Sequence, residues 1–428
     1  MHRNSPHDWY AEMNSRSNGK MKPKWIVLLV ALSASLFQIL IFASRPAVSS
    51  ITRDEPTPRL MPEHGSGISV VACSLTSART SSLRNVQLIE NIIKTLPSES
   101  HVLLFVNDPS SFKTNHMARV TFVELPETSR ISIWPQDPFL VVRAGAESKL
   151  LVPRIFERGD DSKMPEQLAA KLGLSLIRSN LVFEGGNIVC GDQMAIIGND
   201  TIMQNVREVG SNREEVILDF EKQLGLPIAV VGRGVQSVGH IDLIVTPIGG
   251  NRVVVADSCW GAELMMTAID QHSNQLTKFE SQCEQQFFGR PSVKSLTDAV
   301  GEQITRPTII GSADDAIRHS FLIANELNVI ADQLRAQGFE VTRMPVLIPQ
   351  MRTTQLNYPI LTYNNVLLET RDTRPIVYLP QYGLPTLDTA CAEEWKRLGF
   401  DIKTVQGLST SAIYGGSLRC CTKVLHRD

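Results

Sequence analysis

The chain has 428 residues, of which 43% are hydrophobic and 20% are charged, and its net charge is −2. Such a composition supplies a large hydrophobic core and excludes an intrinsically disordered chain. The near-neutral charge excludes the strongly basic surface that attracts nucleic acids and anionic membranes, so we expect no nucleic-acid partner. The length suits one large domain or two ordinary ones.

The N-terminal region differs from the rest of the chain. Residues 25–44 carry no charge and are long enough to span a bilayer as one helix. Three lysines precede this run, so residues 1–24 are expected to be cytoplasmic and the later part extracytoplasmic. Because the run ends in small residues, a cleaved signal peptide and a secreted protein are the alternative. The polar, proline-rich residues 45–67 predict a linker, and residues 68–428 predict the folded part.

Strands and helices alternate from residue 68 onward. Residues 68–75, 101–107 and 119–125 are short apolar runs that predict strands, and residues 85–96 have the apolar spacing of a helix. This βαβ order predicts an α/β protein.

One pattern then recurs, in which a polar residue opens an apolar run, a break follows, and a second apolar run comes back. The opening residues are Asp137, Asn187, Asp242 and Asn365, and a fifth run spans residues 417–425. Apart from the gap between Asp242 and Asn365, the openings lie about 50 to 55 residues apart. This period predicts five similar α/β units around an axis, with the opening residues pointing inward. A plain α/β sandwich with similar hairpins is the alternative.

Helical stretches are expected between several of these runs. They cover residues 165–172, 213–224 and 389–398. The long gap predicts an insertion over residues 260–334, largely helical and charged.

Two candidate stretches place carboxylates beside apolar strands. Asp137 ends Trp-Pro-Gln-Asp, where partial burial would strengthen its pairing with a cation. Glu184 begins Glu-Gly-Gly-Asn, which ends at Asn187 and forms a tight turn. Each stretch in isolation is equally typical of an ordinary turn.

Two further stretches supply an imidazole and a thiol. If Gly-His-Ile-Asp is a strand, His240 and Asp242 share a face, and the histidine is a candidate general acid and base. A buried ion pair is the alternative, and no further ligands have the spacing of a metal site. Near the C-terminus, Cys420 and Cys421 would face opposite sides of a strand, so only one reaches a central pocket. A free cysteine is more often a small buried hydrophobic residue than a nucleophile.

A thiol, a histidine and two carboxylates together suit a planar cation that is attacked at carbon, and guanidinium is the obvious case. Asp137 and Asp242 would bind its nitrogens. The thiolate of the cysteine would attack the central carbon, and His240 would protonate the departing amine. Water activated by the same histidine would then release the product from a thiouronium intermediate.

These residues resemble those of the guanidino-group-modifying enzymes, or penteins. Trp134-Pro135-Gln136-Asp137 is similar to the W-x-Q-D of peptidylarginine deiminases and to the W-x-R-D of agmatine deiminases, except that Gln136 replaces the arginine of the latter. Glu184-Gly185-Gly186-Asn187 and Gly239-His240-Ile241-Asp242 resemble the E-G-G-[ND] and G-H-[IV]-D of bacterial members. Gly415 to Cys420 resembles their C-terminal G-G-x-x-[HR]-C. The order of the four motifs is also that of the family.

The resemblance implies a fivefold pseudosymmetric α/β propeller with its pocket on the axis. It implies catalytic roles for Cys420, His240, Asp137 and Asp242, with Cys420 rather than its neighbour as the nucleophile. Substrate-binding roles are implied for four more residues, which are Glu184, Asn187, Trp134 and Arg419.

We therefore expect a membrane-anchored deiminase that acts on a small guanidine or on the arginine side chain of a peptide. An amidinotransferase with the same cysteine chemistry is one alternative. A non-catalytic, membrane-tethered binding protein on the same scaffold is another. No cofactor is expected, and no metal is expected, because the sequence has no acidic calcium loop.

Overall fold

In the computed structural model, the described residues are 57–428 except 77–78, 146, 235, 289–295, 298–302, 305–312 and 352–357. The expected membrane span at residues 25–44 and the expected cytoplasmic tail lie outside this part of the chain. Among the helices of the described part, none has the length and apolar character needed to cross a membrane.

The N-terminal elements are four strands and a helix. They are β1 (Arg59–Leu60), β2 (Ile68–Ser74), α1 (Arg79–Thr95), β3 (His101–Val106) and β4 (Val120–Glu124). Strands β2, β3 and β4 are parallel and adjacent in that order. Most side chains of β2 and β3 are buried, as expected for strands that are covered on both faces.

The next two sheets share one arrangement, in which two strands pair antiparallel, helices follow, and a third strand returns parallel to the second. The first sheet contains β5 (Leu140–Ala144), β6 (Glu147–Val152), α2 (Met164–Leu172) and β7 (Ser175–Arg178), and β1 pairs with β5. The second contains β8 (Ile188–Cys190), β9 (Ala195–Gly198), α3 (Asn199–Val209), α4 (Arg213–Leu224) and β10 (Ile228–Val231).

The third sheet repeats the arrangement with a longer crossover. Its elements are β11 (Val245–Pro247), β12 (Arg252–Asp257), α5 (Ser258–Gln271), α6 (Ser273–Phe288), the hairpin of β13 (Leu296–Thr297) and β14 (Gln303–Ile304), α7 (Ala313–Ala336), β15 (Glu340–Leu347) and β16 (Leu361–Thr362). Strand β15 is parallel to β12. The expected insertion at residues 260–334 is thus the connection between these two strands, with three helices where neighbouring sheets have one or two.

The fourth sheet contains β17 (Leu367–Arg371), β18 (Arg374–Gln381), α8 (Pro385–Arg397) and β19 (Asp401–Gln406). The chain ends with α9 (Ser409–Ile413) and β20 (Lys423–Arg427). Because β20 pairs antiparallel with β2, the sheet of β2 to β4 also has the shared arrangement, built from both ends of the described chain. The α/β class is therefore confirmed, and the described residues contain five sheets of this kind.

The folded unit begins earlier than the sequence predicted. It spans Thr57–Asp428 rather than starting at residue 68. Leu60 and Met61 are buried, and the Met61 N–H donates to the Val141 carbonyl over 3.1 Å. The proline-rich composition suggested a linker, but pairing with β5 orders the segment, and composition does not report such a long-range contact.

Two local predictions at the motifs were wrong. Residues Ile241–Leu243 form a 3₁₀ turn rather than part of a strand, since the N–H groups of Leu243 and Ile244 donate three residues back. The C-terminal run also begins in turns, because the N–H of Cys421 donates to the Ser417 carbonyl over 3.1 Å. Strand β20 starts only at Lys423, so Cys420 lies in a turn just before it.

Candidate active site

The opening residues of the repeated pattern lie one to three residues before strands β5, β8, β11 and β17, and hydrogen bonds join one opening to the next. The Gly186 N–H donates to Asp137 Oδ1 over 3.0 Å, which links the first sheet to the second. The Ile241 N–H donates to Asn187 Oδ1, also over 3.0 Å, which links the second to the third.

The same chain of contacts continues through the remaining sheets. Asn365 Nδ2 donates to the Asp242 carbonyl over 3.3 Å, and Asn365 Oδ1 accepts from the Cys420 N–H over 3.1 Å. Lys423 Nζ then donates to the Gln136 carbonyl over 3.2 Å, next to where the series began. The four opening residues and the turn that carries Cys420 therefore meet around one buried site.

A histidine and two carboxylates form one side of this site. His240 Nε2 lies 2.7 Å from Glu184 Oε2, and its Nδ1 lies 3.6 Å from Oδ1 of Asp137, whose side chain is buried. Burial alone would lower the pKa of His240, but the charges of Asp137 and Glu184 raise it to about 9. The imidazole is consequently protonated at neutral pH and can donate a proton.

Gly186 permits this close approach. A Cβ atom at this position would lie 2.3 Å from His240 Nδ1 and 2.8 Å from Asp137 Oδ1. Any side chain there would push the histidine and the carboxylate apart, which explains why the tight turn after Glu184 needs glycine.

Arg158, which the sequence analysis missed, is bound to the same two carboxylates. Its Nη1 donates to Asp137 Oδ2 and its Nη2 donates to Glu184 Oε2. Burial opposes the charge of Arg158, but the two carboxylates outweigh it and raise the pKa of the guanidinium. No motif marked this arginine, because it lies in the connection between β6 and α2.

Asp242 is held by a second arginine. Arg419 Nη1 donates to Asp242 Oδ2 over 2.6 Å. Its Nε and Nη2 donate to the two oxygens of Glu63 over 2.9 and 2.5 Å, and Nη2 also donates to the Ile188 carbonyl over 3.2 Å. Glu63, in the segment expected to be a linker, thus positions Asp242 through Arg419.

The Cys420 thiol lies between Asp242 and Asn365. Its Sγ is 3.8 Å from Asp242 Oδ2 and 3.2 Å from Asn365 Nδ2. Burial, followed by the charges of Asp242 and Asp137, raises the pKa of this thiol well above its ordinary value. The cysteine is therefore a neutral thiol in this state, and a cation beside it would favour the thiolate.

The adjacent thiol has different surroundings. Cys421 is buried, its side chain interacts with Ser411, and burial raises its pKa. Asp242 lies within 4 Å of the Cys420 thiol, and this contact distinguishes Cys420 from Cys421.

Trp134 packs beside the nucleophile candidate. A Cβ atom on Gly416 would lie 2.4 Å from Trp134 Cζ3 and 3.2 Å from Cys420 Cβ. Gly416 therefore allows the indole ring to come close to the turn that carries Cys420.

Of the residues expected to bind substrate, Glu184 lies within the group of Asp137 and His240. The Asn187 amide is already used, because its oxygen accepts from Ile241 and its nitrogen donates to Asp200 and Thr201. The guanidinium of Arg419 is likewise taken up by protein carboxylates. Direct substrate contact by Asn187, Trp134 or Arg419 stays a prediction.

Among the residues that the structure describes, one cluster has the donor atoms of a metal site. Asp137, Glu184 and His240 each offer one ligand atom, and these atoms lie within 4.8 Å of one another. The Arg158 guanidinium already bridges the two carboxylates, so a cation of the protein itself neutralises the cluster. The expectation that no metal is required stays a prediction.

A known protein family matches part of the chain. The family model described as Porphyromonas-type peptidyl-arginine deiminase matches residues 75–290, a range that contains Asp137, Glu184, His240 and Asp242. No curated protein sequence matches the chain.

Solved structures share the fold. The agmatine deiminase of C. jejuni superposes with a TM-score of 0.59 at 15% identity, covering 87% of this chain and 96% of that one. An agmatine deiminase of Enterococcus faecalis superposes with a TM-score of 0.55 at 13% identity, covering 90% of this chain and 100% of that one. At these identities the likeness concerns the fold alone.

Proposed function

The chain belongs to the Porphyromonas-type peptidyl-arginine deiminase family, within the pentein superfamily, and from this premise we propose that it hydrolyses a guanidinium group to a ureido group and ammonia. One observation carries the proposal. The site brings the Cys420 thiol within 4 Å of Asp242, and it places a protonated His240 between two further carboxylates. This set can bind a planar cation, attack its carbon and protonate a departing amine.

Substrate binding prepares the nucleophile. Asp137 and Glu184 take the substrate guanidinium on one side, and Asp242 faces it on the other through Oδ1, which lies 3.9 Å from Cys420 Sγ. The high pKa of Cys420 falls when a cation is bound beside it, so the thiol releases its proton to solvent as substrate arrives. The nucleophile therefore becomes reactive only in the presence of substrate.

Proton transfer then drives both halves of the reaction. The Cys420 thiolate forms a bond to the guanidinium carbon, and protonated His240 gives its proton to the departing nitrogen, which leaves as ammonia. The neutral imidazole next takes a proton from water, and the resulting hydroxide adds to the thiouronium carbon. Collapse of that adduct breaks the C–S bond, releases the ureido product and a proton, and restores the thiolate.

We also propose that the five sheets surround a common axis as the blades of a propeller. The closed series of hydrogen bonds from Asp137 through Asn365 to Lys423 supports this arrangement, because it joins the four opening residues and the turn that carries Cys420 in a ring. A crystal structure would show directly whether the five sheets surround one axis.

We further propose that residues 25–44 anchor the protein in a membrane with the catalytic unit on the extracytoplasmic side. The uncharged run and the preceding lysines support this proposal. Membrane fractionation, followed by protease treatment of intact cells, checks it. Recovery of the catalytic unit in the soluble cytoplasmic fraction contradicts it.

The activity test uses the full-length protein with free arginine, agmatine and an arginine-containing peptide. We expect release of ammonia together with a ureido product from at least one of the three, in the absence of any amine acceptor. Product formation that requires an added amine would instead identify an amidinotransferase. A protein that binds guanidines but neither hydrolyses nor transfers them would be a binding protein on this scaffold.

A further inference from the structure

The proposed guanidinium site already contains a guanidinium, that of Arg158. Its two terminal nitrogens donate to Asp137 and to Glu184, one to each carboxylate. These are the contacts that a substrate guanidinium would make, because a planar fork of N–H donors matches paired carboxylates.

Three oxygens of these two carboxylates accept hydrogen bonds while Arg158 is present. Asp137 Oδ1 accepts from the Gly186 N–H, and its Oδ2 accepts from Arg158. Glu184 Oε2 is shared between Arg158 and His240. A substrate guanidinium can therefore make this paired contact with Asp137 and Glu184 only when Arg158 leaves.

Charge leads to the same conclusion. The Arg158 side chain is only 15% exposed, and protonated His240 lies beside the same carboxylates. Adding a third cation to so buried a cluster is costly, whereas exchange of one guanidinium for another keeps the charge balance. Loss of the proton of the Cys420 thiol would offset the charge of an added cation. Arg158 would nevertheless still occupy the oxygens of Asp137 and Glu184.

The segment that carries Arg158 is suited to such an exchange. Its ends are fixed, because the Arg154 N–H donates to the Leu181 carbonyl over 2.8 Å and the Asp160 N–H donates to the Arg130 carbonyl over 2.9 Å. Between these anchors Ile155 and Glu157 are exposed. Both anchors are backbone hydrogen bonds, so an outward rotation of the Arg158 side chain does not require either of them to break.

The second arginine of the site is held differently. Arg419 is bound by Glu63, by Asp242 and by the Ile188 carbonyl, and its side chain is 7% exposed. Of the two guanidinium groups, Arg158 is consequently the one that can be displaced.

We infer that Arg158 is an intramolecular competitor for the substrate guanidinium, an inference that rests on the proposed function. Substrate binds only the fraction of molecules in which Arg158 has left the carboxylates, so its apparent affinity is reduced by that fraction. The site then selects ligands that bring a replacement cation of the same shape.

The test compares three variants of the full-length protein, with agmatine and free arginine as probes. Arg158→Ala removes the competitor, and Arg158→Lys keeps the positive charge but loses the planar fork. Arg154→Ala is the matched control, because this arginine lies on the same segment and its side chain is exposed. Binding is measured by calorimetry in a Cys420→Ser background, and KM and kcat are measured with the cysteine present.

If about one tenth of the molecules have Arg158 displaced, Arg158→Ala tightens binding of both probes and lowers KM about tenfold. Arg158→Lys is expected to give a smaller change of the same sign, and Arg154→Ala no change. Unchanged or weaker binding in both Arg158 variants would overturn the inference, since Arg158 would then be inert or a direct substrate contact.

If the Arg158 variants give that result but the unmodified protein still hydrolyses a guanidine, the inference fails and the proposed function stands. If no variant binds or hydrolyses any guanidine, the proposed function fails and the inference falls with it.

Discussion

The N-terminal segment offers the sharpest test of how the site is held together. A chain that begins at residue 68 lacks β1, the buried Leu60 and Met61, and Glu63, whereas a chain that begins at Thr57 keeps them all. Burial of the two apolar side chains contributes about 1.5–3 kcal/mol each. Loss of a partner from a buried ion pair costs about 3–5 kcal/mol, and the lower end applies because the Glu63 side chain is 22% exposed. The combined loss of about 6 kcal/mol or more approaches the whole stability of an ordinary domain.

Urea unfolding and ammonia release are measured on both chains and on Glu63→Gln in the longer one. We expect the longer chain to fold and be active, and the shorter chain to be largely unfolded. We expect Glu63→Gln to fold with a stability lower by about 2–3 kcal/mol and a reduced kcat, because Arg419 then holds Asp242 less firmly. A shorter chain as stable and active as the longer one would refute the assigned role of this segment.

Two further predictions concern the histidine side of the site. Because the pKa of His240 is raised to about 9 from an ordinary 6.5, its charge stabilises the fold fully below pH 6.5, and this stabilisation is lost as the pH rises through 9. The free energy of unfolding of the wild type, measured with urea, should therefore fall by about 3 kcal/mol relative to that of His240→Gln over that pH range. Parallel pH profiles of the two proteins would contradict the raised pKa of His240. Gly186→Ala places a methyl group 2.3 Å from His240 Nδ1, so kcat should fall at least about tenfold while Gly210→Ala, at an open position away from the site, leaves kcat unchanged. Normal kcat in Gly186→Ala would show that the histidine tolerates displacement.

The repeat could be predicted from the sequence because each unit begins with a polar residue that precedes an apolar strand. This pattern lies within a short stretch of neighbouring residues, so it can be seen without knowing the tertiary structure. The same regularity predicted that Asp137, Asp242 and Asn365 occupy equivalent positions in their repeated units. The contact of Asn365 with the Cys420 thiol was not predicted. The turn at His240 was missed because a bond from Ile241 to Asn187, 54 residues away in sequence, shapes it.

Glu63 and Arg158 were not predictable for a related reason. Neither belongs to a motif, and each acquires its role from partners on other parts of the fold. Glu63 meets Arg419 across 356 residues of sequence, and Arg158 meets Glu184 across 26. Sequence pattern thus located the candidate reacting groups, while the charged residues that hold them, Glu63 and Arg158, became visible only in the tertiary structure.

The most direct test of the proposed chemistry is the identity of the covalently modified residue. Turnover is quenched with acid, and the peptides are mapped by mass spectrometry, while ammonia release is measured for Cys420→Ser and Cys421→Ser in parallel. We expect an adduct of substrate less ammonia on Cys420, no ammonia from Cys420→Ser, and substantial activity in Cys421→Ser. Ammonia release by Cys420→Ser at the wild-type rate, or an adduct on another residue, would contradict it.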